Sequence, residues 1–325
     1  MAKVLVTGSS GFIGHNVVNQ LNGHTVYGLD NCDSYASLNQ FELNSLICER
    51  MDSIRDTGVD FQDLYQDIRE PFEDEHGPLL GHFNIHPEIV IHLASFPRQY
   101  EVQLAPAQAS ATMVGGLLNV LEAVRQTCKR FVFVSSSMVY GDFQNLTTES
   151  HPLNPNTLYG ILKQTGEQIV CDFCSKNGIE YTIIRPSAVY GERDVSNRLV
   201  GKFLTAARRG ETLLVKGPEE VLDFTHVSDV ARGMVLAAFS PNAANRAYNL
   251  TRSSETPRTI QDAANLAVSL MGNGNIQVLN RDASFPSRGT LSIQQARDDF
   301  GYNPTIDIEQ GFAQYAKWIS GRSVQ

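Results

Sequence analysis

The sequence has no apolar run that approaches the roughly 18 residues a helix needs to cross a bilayer, so no membrane span is expected. It is short of positive charge: 26 lysines and arginines stand against 35 aspartates and glutamates, for a formal charge of −9. That balance argues against nucleic acid or an anionic membrane as partner, and any anionic ligand must be held by local features. Cysteine is sparse. The five residues are scattered, and only Cys171 and Cys174 have a CxxC spacing, inside a helical pattern with no second pair. They read as helix residues, so no metal site is expected. There is no repeat and no low-complexity tract, and Lys3 opens a strand pattern with no signal peptide before it. A reducing cytoplasm is the expected location.

What is present is a chain of 325 residues with 42% apolar content, enough for one large α/β unit or two lobes. Short apolar runs mark strands at Lys3–Thr7, Thr25–Leu29, Val59–Tyr65, Glu88–Leu93, Phe131–Val134 and Glu180–Arg185. Helical patterns lie between them, near Phe12–Leu21, Ser37–Asp56 and Ala105–Thr127, and from Asn156 to about Lys176. This alternation predicts right-handed crossovers and a Rossmann-type, doubly wound parallel sheet. Residues 1–185 are expected to form this domain, with returns near 223–250, where Arg246–Leu250 reads as a late strand. Residues 186–325 are expected to form mainly a smaller α/β substrate lobe. Within it the pattern predicts a strand at Thr212–Val215, a helix capped by Ser228, and helices at Ile260–Leu270 and Ile308–Ile319. Arg193, Asn197, Arg198, Lys202, Arg208 and Arg209 crowd one short region and read mostly as a solvated face, with one or two free to hold phosphate.

The first strand runs into Gly8-Ser9-Ser10-Gly11-Phe12-Ile13-Gly14 and then a helix. A glycine-rich turn there lets a pyrophosphate approach the backbone. The second strand ends in Asp30, an acid placed to bind both hydroxyls of an adenosine ribose; no arginine follows in Asn31-Cys32-Asp33, which favours NAD over NADP. Asp67-Ile68 closes the third strand within reach of the adenine edge, and Ala94-Ser95 closes the fourth. The fifth strand ends at Ser135-Ser136-Ser137, and Tyr159 and Lys163 follow one helical turn apart. A free phenol has a pKa near 10, about three units too high for a base at neutral pH. A nearby ammonium such as that of Lys163 is expected to lower it. Tyr159 is then placed to take the proton of a sugar hydroxyl, with Ser136 bonded to the same oxygen.

These residues, with His92-Leu93-Ala94-Ser95, Arg185-Pro186-Ser187-Ala188-Val189-Tyr190-Gly191 and Asp223–Asp229, resemble the extended short-chain dehydrogenase/reductases of the nucleotide-sugar epimerase/dehydratase group. The resemblance implies tightly held NAD at Gly8, Gly11, Phe12, Ile13, Gly14, Asp30, Asn31, Asp67, Ile68, Leu93, Ala94, Ser95, Tyr159, Lys163 and Pro186. It implies a nucleotide-diphosphate sugar as substrate, held by Arg98, Ser136, Ser137, Tyr159, Arg193, Asn197, Arg198, Lys216 and Arg281. A homodimer through Ala105–Thr127 and Asn156–Lys176 is also implied. In the sugar dehydratases an Asp-Glu pair carries the elimination of water, where this chain has Ser137 and Met138. Ser135–Gly141 is instead similar to UDP-sugar 4-epimerases, so C4 inversion through a 4-keto sugar is expected. A net nucleotide-sugar oxidoreductase, an epimerase at another carbon, and a non-catalytic NAD sensor are the alternatives. Leu222 stands where these epimerases carry a phosphate-binding arginine, and Arg281, Arg193 or Arg198 is expected to supply that charge.

Overall fold

The computed structural model describes residues 1–33, 39–74, 77–78, 80, 85–194, 198–253 and 257–322. Seven strands form its central sheet: β1 (Lys3–Thr7), β2 (Thr25–Asp30), β3 (Asp60–Tyr65), β4 (Ile89–His92), β5 (Arg130–Val134), β6 (Glu180–Pro186) and β7 (Arg246–Leu250). Their order is β7-β6-β5-β4-β1-β2-β3, and every pair is parallel. The chain leaves β1 toward one edge and returns at β4 to build the other, so the crevice lies at the carboxyl ends of β1 and β4.

The apolar runs are continuous because both sheet faces are covered. Alternation sends Val4, Val6, Ile91, Val132 and Ile184 to one face. There they meet Val17 and Val18 of α1 (Phe12–Val18) and Val230 and Met234 of a later helix. Leu5, Val90, Phe131, Phe133 and Ile183 face the other way, against Leu117, Leu121 and Val170. Helix α2 (Gln40–Arg55) begins at Asn39, whose side chain forms a capping box with Glu42. The expected start at Ser37 lies outside the described residues.

The stretch expected as one helix over Ala105–Thr127 is a continuous helical segment, α3, in three parts: Pro106–Ser110, a wide π-helical turn at Ala111–Gly116, and Leu117–Val124. Helix α4 (Leu158–Asn177) is capped by Thr157, whose hydroxyl accepts from the Gly160 amide. Behind the end of β5, Glu167 of α4 and Arg185 of β6 make a bidentate ion pair at 2.9 and 2.7 Å, with both side chains under a tenth exposed.

A second core gathers α5 (Leu199–Arg209), α7 (Ile260–Met271), α8 (Ile308–Gly321) and a parallel pair of strands, Thr212–Lys216 with Asn275–Leu279. Helix α5 adds a buried face to that basic region, whose Lys202 and Arg209 are exposed as expected. Val200, Phe203, Leu204 and Ala207 form a buried stripe at helical spacing, and the arginines fall on its other side. Helix α6 (Val227–Phe239) is capped by His226, not Ser228; the Ser228 amide donates to His226 Nδ1 at 3.3 Å, because Ser228 already lies in the first turn.

Candidate active site

The turn after β1 is held by close backbone approach. Gly8 has φ +74°, its amide donates to the Leu29 carbonyl at 2.8 Å, and a Cβ on it would stand 2.8 Å from the Ala94 nitrogen. A Cβ on Gly14 would stand 1.9 Å from the Gly8 carbonyl oxygen. No side chain caps α1, which leaves its first turn to an outside acceptor. Asp30 accepts from the Ser10 amide at 2.9 Å and the Cys32 amide at 2.8 Å; burial pushes its carboxyl up, against the pull of those bonds and of Arg50. Asp67 is held by Arg69 and by Asn31 Nδ2 at 3.1 Å, which bring it down to about 2.

The next group stands over the ends of β4 and β5. Ser136 is extended, and its hydroxyl caps the short turn Ser137–Val139 by accepting from the Met138 amide at 3.2 Å. Tyr159 lines the same cavity wall. Burial raises the Tyr159 phenol, while Arg198's charge and the Ser136 hydroxyl pull it down. Lys163 Nζ donates to the Val134 carbonyl at 2.8 Å and lies 5.4 Å from the Phe133 ring centroid and 6.0 Å from that of Tyr159. Burial brings its ammonium down to about 8, with Glu167 opposing. Lys163 is thus anchored to the strand end close to the Tyr159 ring, and the charge of Arg198 also pulls on the phenol.

One cavity of about 2720 Å³ connects these groups. Its wall includes Gly8, Gly11, Phe12, Ile13 and Gly14 from the turn and Asp30, Asn31, Asp67 and Ile68 beyond it. It continues over Leu93, Ala94, Ser95 and Pro186 to Ser136, Tyr159 and Lys163. The Ser95 hydroxyl is buried there with no partner among the described residues. Arg98, Arg193, Arg198, Lys216 and Arg281 also line it. Ser137 does not reach the wall; it is buried in the first position of the short turn that follows Ser136. Asn197 lies outside the described residues.

The cations of the cavity wall are largely committed. Arg281 Nε sits 2.9 Å from Glu220, Lys216 3.6 Å from Asp282, Arg193 Nε 3.5 Å from Glu49, and Arg98 3.0 Å from Glu101. Arg198 lies over the Phe12 ring, its guanidinium carbon 5.8 Å from the centroid. Leu222 packs into the second core. Two further cavity residues, Arg288 and Arg50, escaped the sequence reading, and Lys202 joins them on the wall. Lys202 is lowered by burial and then by the charges of Arg98 and Lys216, and Arg288 is brought down to about 10 by burial against Glu220. Arg50 had a signal: in α2 the buried positions are Leu43, Leu46, Arg50 and Ile54, so one charge stands on an apolar stripe.

The glycine turn fits a dinucleotide, since any side chain at Gly8 or Gly14 would fill the space where backbone meets ligand. Asp30 fits a ribose diol, and the apolar Leu93, Ala94 and Pro186 leave a slot beside Tyr159.

Known proteins resemble the whole chain. An uncharacterized UDP-glucose epimerase of Bacillus subtilis is 25% identical over 329 residues, with 98% of each chain covered. The structure of UDP-glucose 4-epimerase from Thermotoga maritima superposes with a TM-score of 0.82 at 25% identity, covering 98% of both chains. That of UDP-glucuronic acid 4-epimerase from Bacillus cereus, with UDP-glucuronic acid and NAD, gives a TM-score of 0.85 at 22% identity and covers 98% of this chain and 99% of that one. The profile of the NAD dependent epimerase/dehydratase family matches residues 4–251, and the chain belongs to that family.

Proposed function

We propose that this protein inverts C4 of a nucleotide-diphosphate sugar, a hexose or hexuronate, using NAD. The observation that carries the reading is the gathering of Ser136, Tyr159 and Lys163 on the wall of the cavity that the glycine turn also lines. Gly8, Gly11, Phe12, Ile13, Gly14, Asp30 and Asn31 would hold the adenosine and pyrophosphate end of NAD, and Leu93, Ala94, Ser95 and Pro186 the other end. When bound, NAD supplies a hydride acceptor that later returns the hydride. Tyr159 Oη takes the proton of the sugar's C4 hydroxyl, and Ser136 Oγ holds the same oxygen in line. Arg198 stabilises the phenolate against the cost of burial. The cavity is roomy enough for a C4 ketone to turn over, and Tyr159 would return the proton to the C4 oxygen.

Met138 supports inversion over dehydration, since a thioether beside Ser136 transfers no proton. The names of the relatives support a UDP-linked sugar. In this reading residues 1–185 with 223–250 bind the dinucleotide, and 186–325 mainly bind the sugar nucleotide. The exposed Leu118, Leu158 and Ile161 on α3 and α4 support a homodimer through those helices, and five free thiols support a cytoplasmic location. The test is a panel of UDP-, dTDP-, GDP- and CDP-sugars followed by NMR. Inversion at C4 with no net NADH is expected; no inversion on any of them by NAD-loaded protein overturns the reading.

A further inference from the structure

Arg50 is a buried guanidinium shared between two distant parts of the fold. Its Nη1 donates to the Ser10 carbonyl at 2.8 Å, in the turn after β1. Its Nη2 donates to the Arg193 carbonyl at 2.7 Å, in the segment that leads into α5. The Ser10 residue also donates its amide to Asp30, so the same guanidinium stands behind both handles of the dinucleotide site. On the other side Arg193 has φ +64°, a left-handed conformation that a non-glycine residue keeps only when its surroundings enforce it. Arg50 holds its carbonyl, and the preceding residue, Glu49, holds its side chain at 3.5 Å. Glu49 also accepts from Trp318 Nε1 at 2.5 Å and Arg322 Nη1 at 2.7 Å, and Tyr315 donates to the Asp194 carbonyl. Two consecutive residues of α2 thus tie the glycine turn to the segment at Arg193–Asp194 and to α8.

A buried guanidinium cannot leave one carbonyl without stranding its own charge. The positions of the Ser10 and Arg193 carbonyls are therefore linked. Asp194, next in the chain, acts electrostatically on both Arg50 and Arg98, which both line the cavity.

We propose that Arg50 is a positioning residue that couples the two ligand sites: dinucleotide on the glycine turn fixes the Ser10 carbonyl, and through Arg50 fixes Arg193–Asp194 for the nucleotide-sugar. This rests on the dinucleotide reading of the turn. It predicts that NAD tightens binding of a nucleoside diphosphate, and that Arg50 carries the tightening.

The test is calorimetric titration of UDP into nucleotide-stripped protein, with and without saturating NAD, alongside emission from Trp318. The wild-type chain is expected to bind UDP at least about fivefold more tightly with NAD present, within the usual range of coupling between sites. Arg50→Met is expected to bring that ratio close to one while both ligands still bind, and to remove the NAD-dependent change in Trp318 emission. A residue with a merely structural role would weaken both ligands and leave the ratio unchanged. An unchanged ratio in Arg50→Met, or no coupling in the wild type, overturns the proposal. If Arg50→Met does not fold, the same comparison is made on Arg50→Lys, whose ammonium lacks the planar fork; there a wild-type ratio overturns it. Failure of the wild-type chain to bind NAD at all would instead overturn the proposed function.

Discussion

The ammonium of Lys163 sits 2.8 Å from the carbonyl oxygen of Val134, the last residue of β5, and 6.0 Å from the centre of the Tyr159 ring. The lysine is thus anchored to the strand end, while the tyrosine on the same helix face stays on the cavity wall. Tyr159→Phe removes only the proton acceptor. Turnover is expected to fall by about 10² to 10⁴-fold with NAD still bound. NMR of the product and the absorbance of released NAD check the two halves. Turnover at the wild-type level would remove Tyr159 from the chemistry.

Arg198 supplies the pull on the Tyr159 phenol that offsets burial. Arg198→Met is expected to shift the acid limb of the pH–rate profile to higher pH, while Arg198→Lys shifts it less. A profile that does not move in Arg198→Met would show that this charge is screened from the phenol.

Gly14 admits no side chain, because its Cβ would stand 1.9 Å from the Gly8 carbonyl. Gly14→Ala is expected to weaken NAD by at least about tenfold, roughly 1.4 kcal/mol. Gly115 has nothing within 4 Å of its Cβ position, so Gly115→Ala is the control. Equilibrium dialysis against NAD measures both, and equal affinities would count against the turn as the pyrophosphate site.

Glu167→Ala strands the Arg185 guanidinium, which is 6% exposed at the side chain, and removes the partner of the Ser135 hydroxyl. The expected loss is about 3–5 kcal/mol in urea denaturation. Replacing both members, Glu167→Met with Arg185→Met, is expected to cost less than the single change, since no uncompensated charge remains.

His15 is kept neutral. Its Nδ1 donates to the Gly11 carbonyl at 2.9 Å, its Nε2 accepts from Asn16 at 3.0 Å, and burial with Arg50's charge brings its pKa down to about 3. A depressed pKa means that the unfolded chain binds the proton first. The contribution is fully present above about 6.5 and is lost as pH falls toward about 3, at up to about 1.4 kcal/mol per pH unit. The melting temperature is expected to drop across that window and to drop less steeply in His15→Asn. His92, buried and also near 3, adds in the same direction.

The sheet was legible because its strands are buried on both sides, so Val4-Leu5-Val6 and Phe131-Val132-Phe133-Val134 stand out without knowledge of their neighbours. The glycine turn and the Tyr159–Lys163 spacing were legible because their partners are local. Helix α5 was not, since its basic residues masked the stripe Val200, Phe203, Leu204 and Ala207. The role of Lys163 toward Val134 was hidden because a lysine's reach is set by the strand it meets, not by its helix. Arg50 and Glu49 depend on residues far along the chain, Arg193, Trp318 and Arg322, which no local pattern joins.

The sheet takes its last strand late. Arg246–Leu250 pairs with Thr182–Pro186, and α6, which covers the face carrying Val6 and Ile91, begins only at Val227. During synthesis on the ribosome, the first six strands therefore emerge with an open edge and with one apolar face covered only by α1. They wait through some sixty residues of nascent chain for closure. A chain stalled near residue 200 should be a client of holding chaperones and cut readily by protease, whereas one stalled well past 250 should already resist.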